Sequence, residues 1–448
     1  MTRSNATERR ERDSYRRNAS RNDFMPTVNE PVRSIEEINA KIRAGDVTVC
    51  TALEFCNMVR AHEDVSEVDV ITSGTKGIMS GTYATLSFRA TAPNVFETAQ
   101  TAWLNDVPAF VGPCPNERLG LLDLTVYGTA VSRNDAKYGG GHLFRDIVRG
   151  GDVDFDVITS TGIHIQGQTS LEDMQFARLS ATRNVFKNYN AFVNPKDTCI
   201  KSIFSVTCLQ GPYKEASFSG CGELNPLEKD PQLETIGVGT KALFNGAVGF
   251  VTGTGTRSSA QMPNLSGYAP LKGMNPKYVG GFNTSAGPDV FCSWAIPIPI
   301  LNTSILKTVS STDDQIPLPI VDVNGRTSLG FARYSDVWRS EYGRIRFSSD
   351  ECVSCEECQV AENCPTGAFK PSKGIDRKEC VRCGACVSSC PHGALKGDLG
   401  AIDLDGLQIP VTLRQSDRSN ADKLTRELKK RIEQGEFLLS TPVQNIKL

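Results

Sequence analysis

The sequence predicts a mixed α/β large domain followed by a small α+β domain organised by cysteine, and three observations carry that expectation. From Val47 to about residue 305, short β-rich runs alternate with helical ones, as where Val68-Asp69-Val70-Ile71 leads into the glycine-rich loop expected at Ser73-Gly74-Thr75-Lys76-Gly77. Such alternation is the mark of a mixed α/β layer. Eight of the 15 cysteines fall between Cys352 and Cys390. At 448 residues the chain exceeds a single core and allows about three domains of roughly 150 residues.

Composition narrows the function classes. With 39% hydrophobic and 22% charged residues, and 49 basic against 51 acidic side chains, the chain reads as globular and soluble and lacks the basic surplus of a nucleic-acid binder. Its most apolar stretch, Phe291 to Leu301, is broken by Pro297 and Pro299 and falls well short of the roughly 20 residues that span a bilayer. No membrane span is expected. The opening Met-Thr-Arg-Ser has no apolar signal core before Asp23, so a cytoplasmic location and reduced cysteines are expected.

Each element follows in order. Residues 1–33 hold eight arginines and five acids with little to bury, which predicts a disordered basic arm, either solvated or docked on an acidic partner. Ser34 can cap a helix running to Ala44, with Gly45 as its stop and Ile35, Ile38 and Ile42 on one face. The large domain is placed at 34–305. Its glycine clusters, Gly139-Gly140-Gly141, Gly237-Val238-Gly239 and Gly253-Thr254-Gly255, match no phosphate or dinucleotide fingerprint. They read as tight turns, with an anion cradle of bare N–H groups as the functional alternative. Residues 306–347 read as a connector with a small β element, 348–397 as the cysteine domain, and 398–448 as a β segment and helix. That helix is capped near Ser419 to Asp422 and buries Leu424, Leu428 and Ile432.

The cysteine domain carries two related motifs. Cys380-x2-Cys383-x2-Cys386-x3-Cys390-Pro391 is the run that holds a [4Fe-4S] cubane. Three close thiolates take three corners of one cube, and the fourth, before proline, turns to the other cluster in a two-cluster ferredoxin. The first motif, Cys352, Cys355 and Cys358 followed by Cys364-Pro365, has five residues instead of three before its last cysteine. Two clusters are therefore expected, one on Cys352, Cys355, Cys358 and Cys390, the other on Cys380, Cys383, Cys386 and Cys364. Two zinc sites are the alternative, but zinc needs neither triplets at two-residue intervals nor a swapped Cys-Pro. Residues 348–397 resemble a bacterial-type two-cluster ferredoxin, which implies a low-potential electron donor as partner.

The large domain resembles a family in whole phrases: Trp103-Leu104-Asn105-Asp106-Val107-Pro108-Ala109, Tyr138-Gly139-Gly140-Gly141-His142, Glu223-Leu224-Asn225-Pro226-Leu227 and Ile296-Pro297-Ile298-Pro299 among them. These are similar to the archaeal homocysteine biosynthesis family, the L-aspartate semialdehyde sulfurtransferases. In joining this domain to a ferredoxin, the chain resembles the sixteenth family of methanogenesis marker metalloproteins. The resemblance implies reductive sulfur incorporation in a methanogenic archaeon, with sulfide-derived sulfur passing as a cysteine persulfide to a small carbonyl substrate. Alternatives are a maturation factor acting on a methanogenesis protein or cofactor, and an electron-transfer subunit with a non-catalytic docking domain. The persulfide cysteine implied after the Gly-Gly-Gly-His phrase is absent from Thr159-Ser160-Thr161-Gly162-Ile163-His164-Ile165, and Met79-Ser80-Gly81 stands where a second is implied. Cys221, between Gly220 and Gly222, is then the first candidate carrier, as a glycine-exposed thiol of lowered pKa. Cys114, between prolines, is the second. Cys50, Cys56, Cys199, Cys208 and Cys292 read as buried spectators. His142 and His164 are the candidate acid–base groups, and Lys76, Lys241 and Arg257 could pair with a carboxylate.

Overall fold

The computed structural model describes residues 32–112, 118–338 and 345–448. Residues 1–31 of the N-terminal arm and Cys114 lie outside the described residues, and the chain from Arg33 onward forms one compact unit, with Arg33 paired to Asp69 at 3.1 Å. The Ser34 cap is built as its sequence predicts: Ser34 Oγ accepts the Glu37 N–H at 3.2 Å, Glu37 accepts the Ser34 N–H at 2.6 Å, and Gly45 ends the helix Ile35–Ala44 at φ 80°.

Fourteen strands among the described residues form one sheet. Its order runs from Val49–Thr51 through Val70–Ile78, Gly287–Pro299, Lys241–Phe244, Ala247–Thr254, Leu265–Pro270, Met174–Asn184, Thr82–Arg89, Leu121–Tyr127, Val107–Val111, Ala99–Leu104 and Val153–Thr159 to His164–Thr169, with Gly280–Thr284 paired to Gly287–Pro299. The first two strands are parallel. Gly287–Pro299 is buried along nearly its whole length, as a strand covered on both faces must be. Its pairing with Lys241–Phe244 ends at Ala295, so Pro297 and Pro299 fall where one flank has no ladder to lose.

Ser73-Gly74-Thr75-Lys76-Gly77, expected as a loop, is the middle of the strand Val70–Ile78. The reason is the C-terminal helix Arg418–Glu433, which lies across that strand: a Cβ on Gly74 would stand 2.6 Å from Thr425 Cγ2. Leu424, Leu428 and Ile432 are buried along this helix. Its cap is Asp417, just before the predicted window, whose carboxylate accepts the Asn420 N–H at 3.1 Å.

Neither the segment read as a connector nor the one read as a C-terminal extension stands apart. A second, six-stranded sheet orders Ser328–Arg333, Pro317–Asp322, Ala191–Val193, Ala216–Phe218, Leu407–Arg414 and Ala401–Leu404, over a core that includes Phe218, Leu318, Ile320, Ile402 and Ile409. Residues before and after the cysteine module thus pair with strands of the large domain. The module itself has two short ladders, Arg346–Phe347 with Leu395–Lys396 and Phe369–Lys370 with Gly374–Ile375, and the helices Gln359–Asn363 and Ala385–Ser389. Among the described residues no helix is long and apolar enough to cross a membrane.

Candidate functional site

The eight cysteines of the module gather into two groups of four. Cys352, Cys355, Cys358 and Cys390 line one cavity, whose other walls include Val360, Phe369, Ala394 and Leu395. Four thiols facing one space between apolar walls are the donor set that a [4Fe-4S] cluster uses. Among the described residues no three His, Cys, Asp or Glu side chains converge tightly enough for a single metal ion. Cys364, Cys380, Cys383 and Cys386 form the second group. As free thiols, Cys383 and Cys386 are pushed up first by burial and then by their neighbours' charge, Cys386 to about 12, and Cys364 acts on Cys380, Cys383 and Cys386 alike. The two extra residues before Cys364 are taken up in the helix Gln359–Asn363.

The second group abuts the large domain. Cys383 is buried and packs with Phe282, Phe291 and Leu413, its carbonyl accepts the Arg414 N–H at 2.7 Å, and Pro365 accepts the Asn283 N–H at 2.8 Å. Between these loops and the sheet lies a small cleft, lined by Lys76, Arg145, Lys277, Lys378 and Glu379, with Gly280 and Gly281 from the sheet and Thr366 and Val381 beside Cys364 and Cys380. Lys76 is buried; its ammonium donates to the Lys277 carbonyl at 2.7 Å and sits 3.8 Å from Asp417. Burial pushes its pKa down, and Asp417 offsets part of that. Arg145 and Arg149 both hold Glu379, the former at 2.6 Å, and the buried Nε of Arg145 has no hydrogen-bond partner. Lys76 and Arg145 are partnered by Asp417 and Glu379, which leaves Lys277 and Lys378 as the cleft's excess positive charge.

His142 lies directly behind this cleft. A Cβ on Gly281 would come within 2.2 Å of its ring, so only glycine admits it there. The imidazole stacks on Tyr138 at 5.5 Å, accepts the Gly139 N–H at Nδ1 (3.2 Å), and is pushed down to about 4 by burial and Arg145. It is a neutral group bracing the glycine turn. His164 is exposed on the strand at the far edge of the sheet, 3.7 Å from Asp156, and is not brought to the cleft. Lys241 lies over the Phe437 ring and Arg257 is exposed.

Cys221 differs from its expectation. It is fully buried, with Sγ 3.7 Å from both Thr75 Oγ1 and the Lys76 carbonyl, and burial raises its pKa. The flanking glycines serve packing: a Cβ on Gly220 would meet Tyr334 Oη at 2.3 Å and one on Gly222 would meet Asp313 at 2.1 Å. Cys50, Cys56 and Cys292 are buried, but Cys199 and Cys208 are accessible and joined to each other, because the hairpin that carries them lies on the surface.

Two features had no clear sequence signal. Asp289, alone in an apolar run, is pushed up to about 6 by burial while accepting Ser80 Oγ at 2.7 Å. Glu223 is bound by Arg418 at 2.9 Å and by Arg60, and Arg418 also holds Asp313. Burial raises the Glu223 carboxyl, but the two arginines outweigh it and hold it below the usual range.

Comparison with known proteins adds the following. The family model described as homocysteine biosynthesis enzyme, sulfur-incorporation, matches residues 47–439. An uncharacterized protein of Methanothermobacter thermautotrophicus is 42% identical over 91% of this chain and 94% of its own length. The L-aspartate semialdehyde sulfurtransferase of Methanocaldococcus jannaschii is 30% identical over 65% of this chain and 58% of its own length. The cysteine-rich segment matches an uncharacterized ferredoxin-like protein of Escherichia coli, 36% identical over 55 residues, which are 11% of this chain and 26% of that protein. No solved structure matches the chain.

Proposed function

Since the chain belongs to the homocysteine biosynthesis, sulfur-incorporation enzyme family, we propose that it reductively incorporates sulfide-derived sulfur into a small anionic carbonyl compound held in the cleft of Lys76, Arg145, Lys277 and Lys378. The net change is an aldehyde, hydrogen sulfide, two electrons and two protons giving a thiol and water. Two [4Fe-4S] clusters, one held by Cys352, Cys355, Cys358 and Cys390 and the other by Cys364, Cys380, Cys383 and Cys386, supply one-electron transfer when bound. The observation that carries the reading is the shared wall: the anion-receiving cleft is bounded by residues that flank Cys364 and Cys380.

The chain's own groups divide the remaining work. Lys277 and Lys378 hold a carboxylate, and the unpartnered Arg145 Nε–H donates to a further oxygen. Phe291 and Val381 exclude water from one side. Lys76 Nζ, buried and depressed, is the proton source for the carbonyl oxygen that leaves as water. His142 positions the glycine turn behind the site.

The test is an anaerobic assay of the cluster-loaded chain with sulfide, a low-potential reductant and aspartate semialdehyde. Homocysteine detected by mass spectrometry supports the reading; a loaded chain that makes none contradicts that substrate. The missing family cysteines at Thr159 to Ile165 and Met79 to Gly81 favour a second reading, a maturation factor acting on a larger partner. It predicts recovery of one defined partner with the tagged chain and no homocysteine.

A further inference from the structure

Outside the module, the accessible sulfur among the described residues is one pair. Cys50, Cys56, Cys221 and Cys292 are buried, whereas Cys199 is exposed and Cys208 half-buried. The two are bonded across nine residues with Cα atoms 5.6 Å apart, within the ordinary range for a bridge. They sit on a two-rung ladder of Cys199–Ile200 with Leu209–Gln210, and the Gln210 side-chain N–H faces both sulfurs at 3.2 and 3.5 Å.

Their location matters as much as their bond. Cys208 lines a small cleft together with Ala385, Ser388 and Ser389, on the helix that carries Cys386 and ends at Cys390. Two residues before Cys208, Val206 packs against the small core of Val381, Cys383 and Ala385. The pair is thus fixed against a helix that serves both groups of module cysteines.

We propose that Cys199 and Cys208 form a redox-active dithiol–disulfide couple that exchanges electrons with iron–sulfur clusters in the adjacent module, a step that rests on the module's holding such clusters. In the reduction the S–S bond breaks and two S–H bonds form. Two electrons enter, one from each reduced cluster, replenished by a low-potential one-electron donor, and two protons come from solvent at the exposed hairpin. Three points support the assignment. The eight module cysteines must stay reduced to bind iron, so the chain works in reducing surroundings in which a surface bridge can be opened. Exposed bridges are the readily reduced ones. The Gln210 N–H steadies the thiolate that forms. A couple of this kind collects two single electrons into one two-electron reductant.

The experiment uses the full chain with clusters reconstituted anaerobically and both sulfurs oxidised. A photoreduced deazaflavin delivers two electrons per chain, illumination stops, and cluster absorbance and EPR are followed while iodoacetamide labels free thiols for peptide mass spectrometry. The expected result is bleaching followed by recovery of cluster colour as Cys199 and Cys208 become labelled. Cys199→Ser and Cys208→Ser, both at the surface, should stay bleached. The proposal is overturned if the loaded wild-type chain stays bleached with the pair unlabelled, or if the pair is labelled before any electron is added. Iron and acid-labile sulfide analysis of the same sample separates the failures: a chain without clusters defeats the reading of the module, and a loaded chain with an inert pair defeats this proposal alone.

Discussion

The two cysteine groups are built from nearly the same local motif and stand in opposite relation to the rest of the molecule. The outer group, Cys352, Cys355, Cys358 and Cys390, is half-buried; Cys352, Cys358 and Cys390 pack on the module's own small core of Ile345, Val360, Phe369, Ala394 and Leu395, as do Cys364 and Cys386 of the inner group. The inner group's Cys383 is buried against Phe282, Phe291 and Leu413 of the two sheets, and its loops close the basic cleft. Motif chemistry is therefore shared, and packing decides which group faces the basic cleft.

The largest expected contrast is between Cys383→Ser and Cys355→Ser. Either should cut bound iron from about eight to about four per chain. Only Cys383→Ser should also destabilise the large sheets, by more than about 4 kcal/mol, the range reached when a metal site within a packed core is lost. Iron analysis and chemical denaturation check this; equal destabilisation by both variants would remove the distinction.

Next comes pH, because two oppositely shifted groups lie on the inner side. Asp289 titrates at about 6 in the folded chain against an ordinary 3.8, so its contribution is full at low pH and is lost as pH rises through 6. His142 is depressed to about 4 from 6.5, so its contribution is full above 6.5 and is lost as pH falls towards 4. Each effect is on the order of 3 kcal/mol, and in the parent chain they largely cancel. Asp289→Asn should leave a chain whose stability rises from pH 4 to 6.5, and His142→Gln one whose stability falls from pH 4 to 6. Urea midpoints across that range read both slopes, and parallel slopes would contradict the assignment.

Smaller still is the effect of thinning the cleft's charge. Lys277→Ala and Lys378→Ala should each raise KM for the anionic carbonyl about tenfold with kcat little changed, the worth of one charge-assisted hydrogen bond. On the outer side, Lys396→Ala removes an exposed pair with Glu351 and should shift stability by less than about 0.5 kcal/mol, with KM unchanged.

Much of this contrast could be read from the chain, where the cause was local. The Ser34 cap, the Leu424-Leu428-Ile432 stripe and the paired cysteine motifs are all patterns within a dozen residues or so. The rest depends on partners distant in sequence. Ser73 to Gly77 has the composition of a loop, but its glycines answer to a helix from the other end of the chain. Gly220 and Gly222 look like an exposing pair, whereas Tyr334 and Asp313 fill the space beside them and bury Cys221. Cys199 and Cys208 are separated by an unremarkable stretch whose hairpin alone brings them together. The cleft joins Lys76, Arg145, Lys277 and Lys378, four lysines and arginines that no spacing rule connects.

The most direct test of the central claim is EPR of the dithionite-reduced, cluster-loaded chain with and without aspartate semialdehyde. Binding in the basic cleft should alter the signal that is lost in Cys383→Ser and leave unchanged the one lost in Cys355→Ser. A change confined to the outer signal, or none at saturating ligand, would contradict the placement of the substrate beside the inner group.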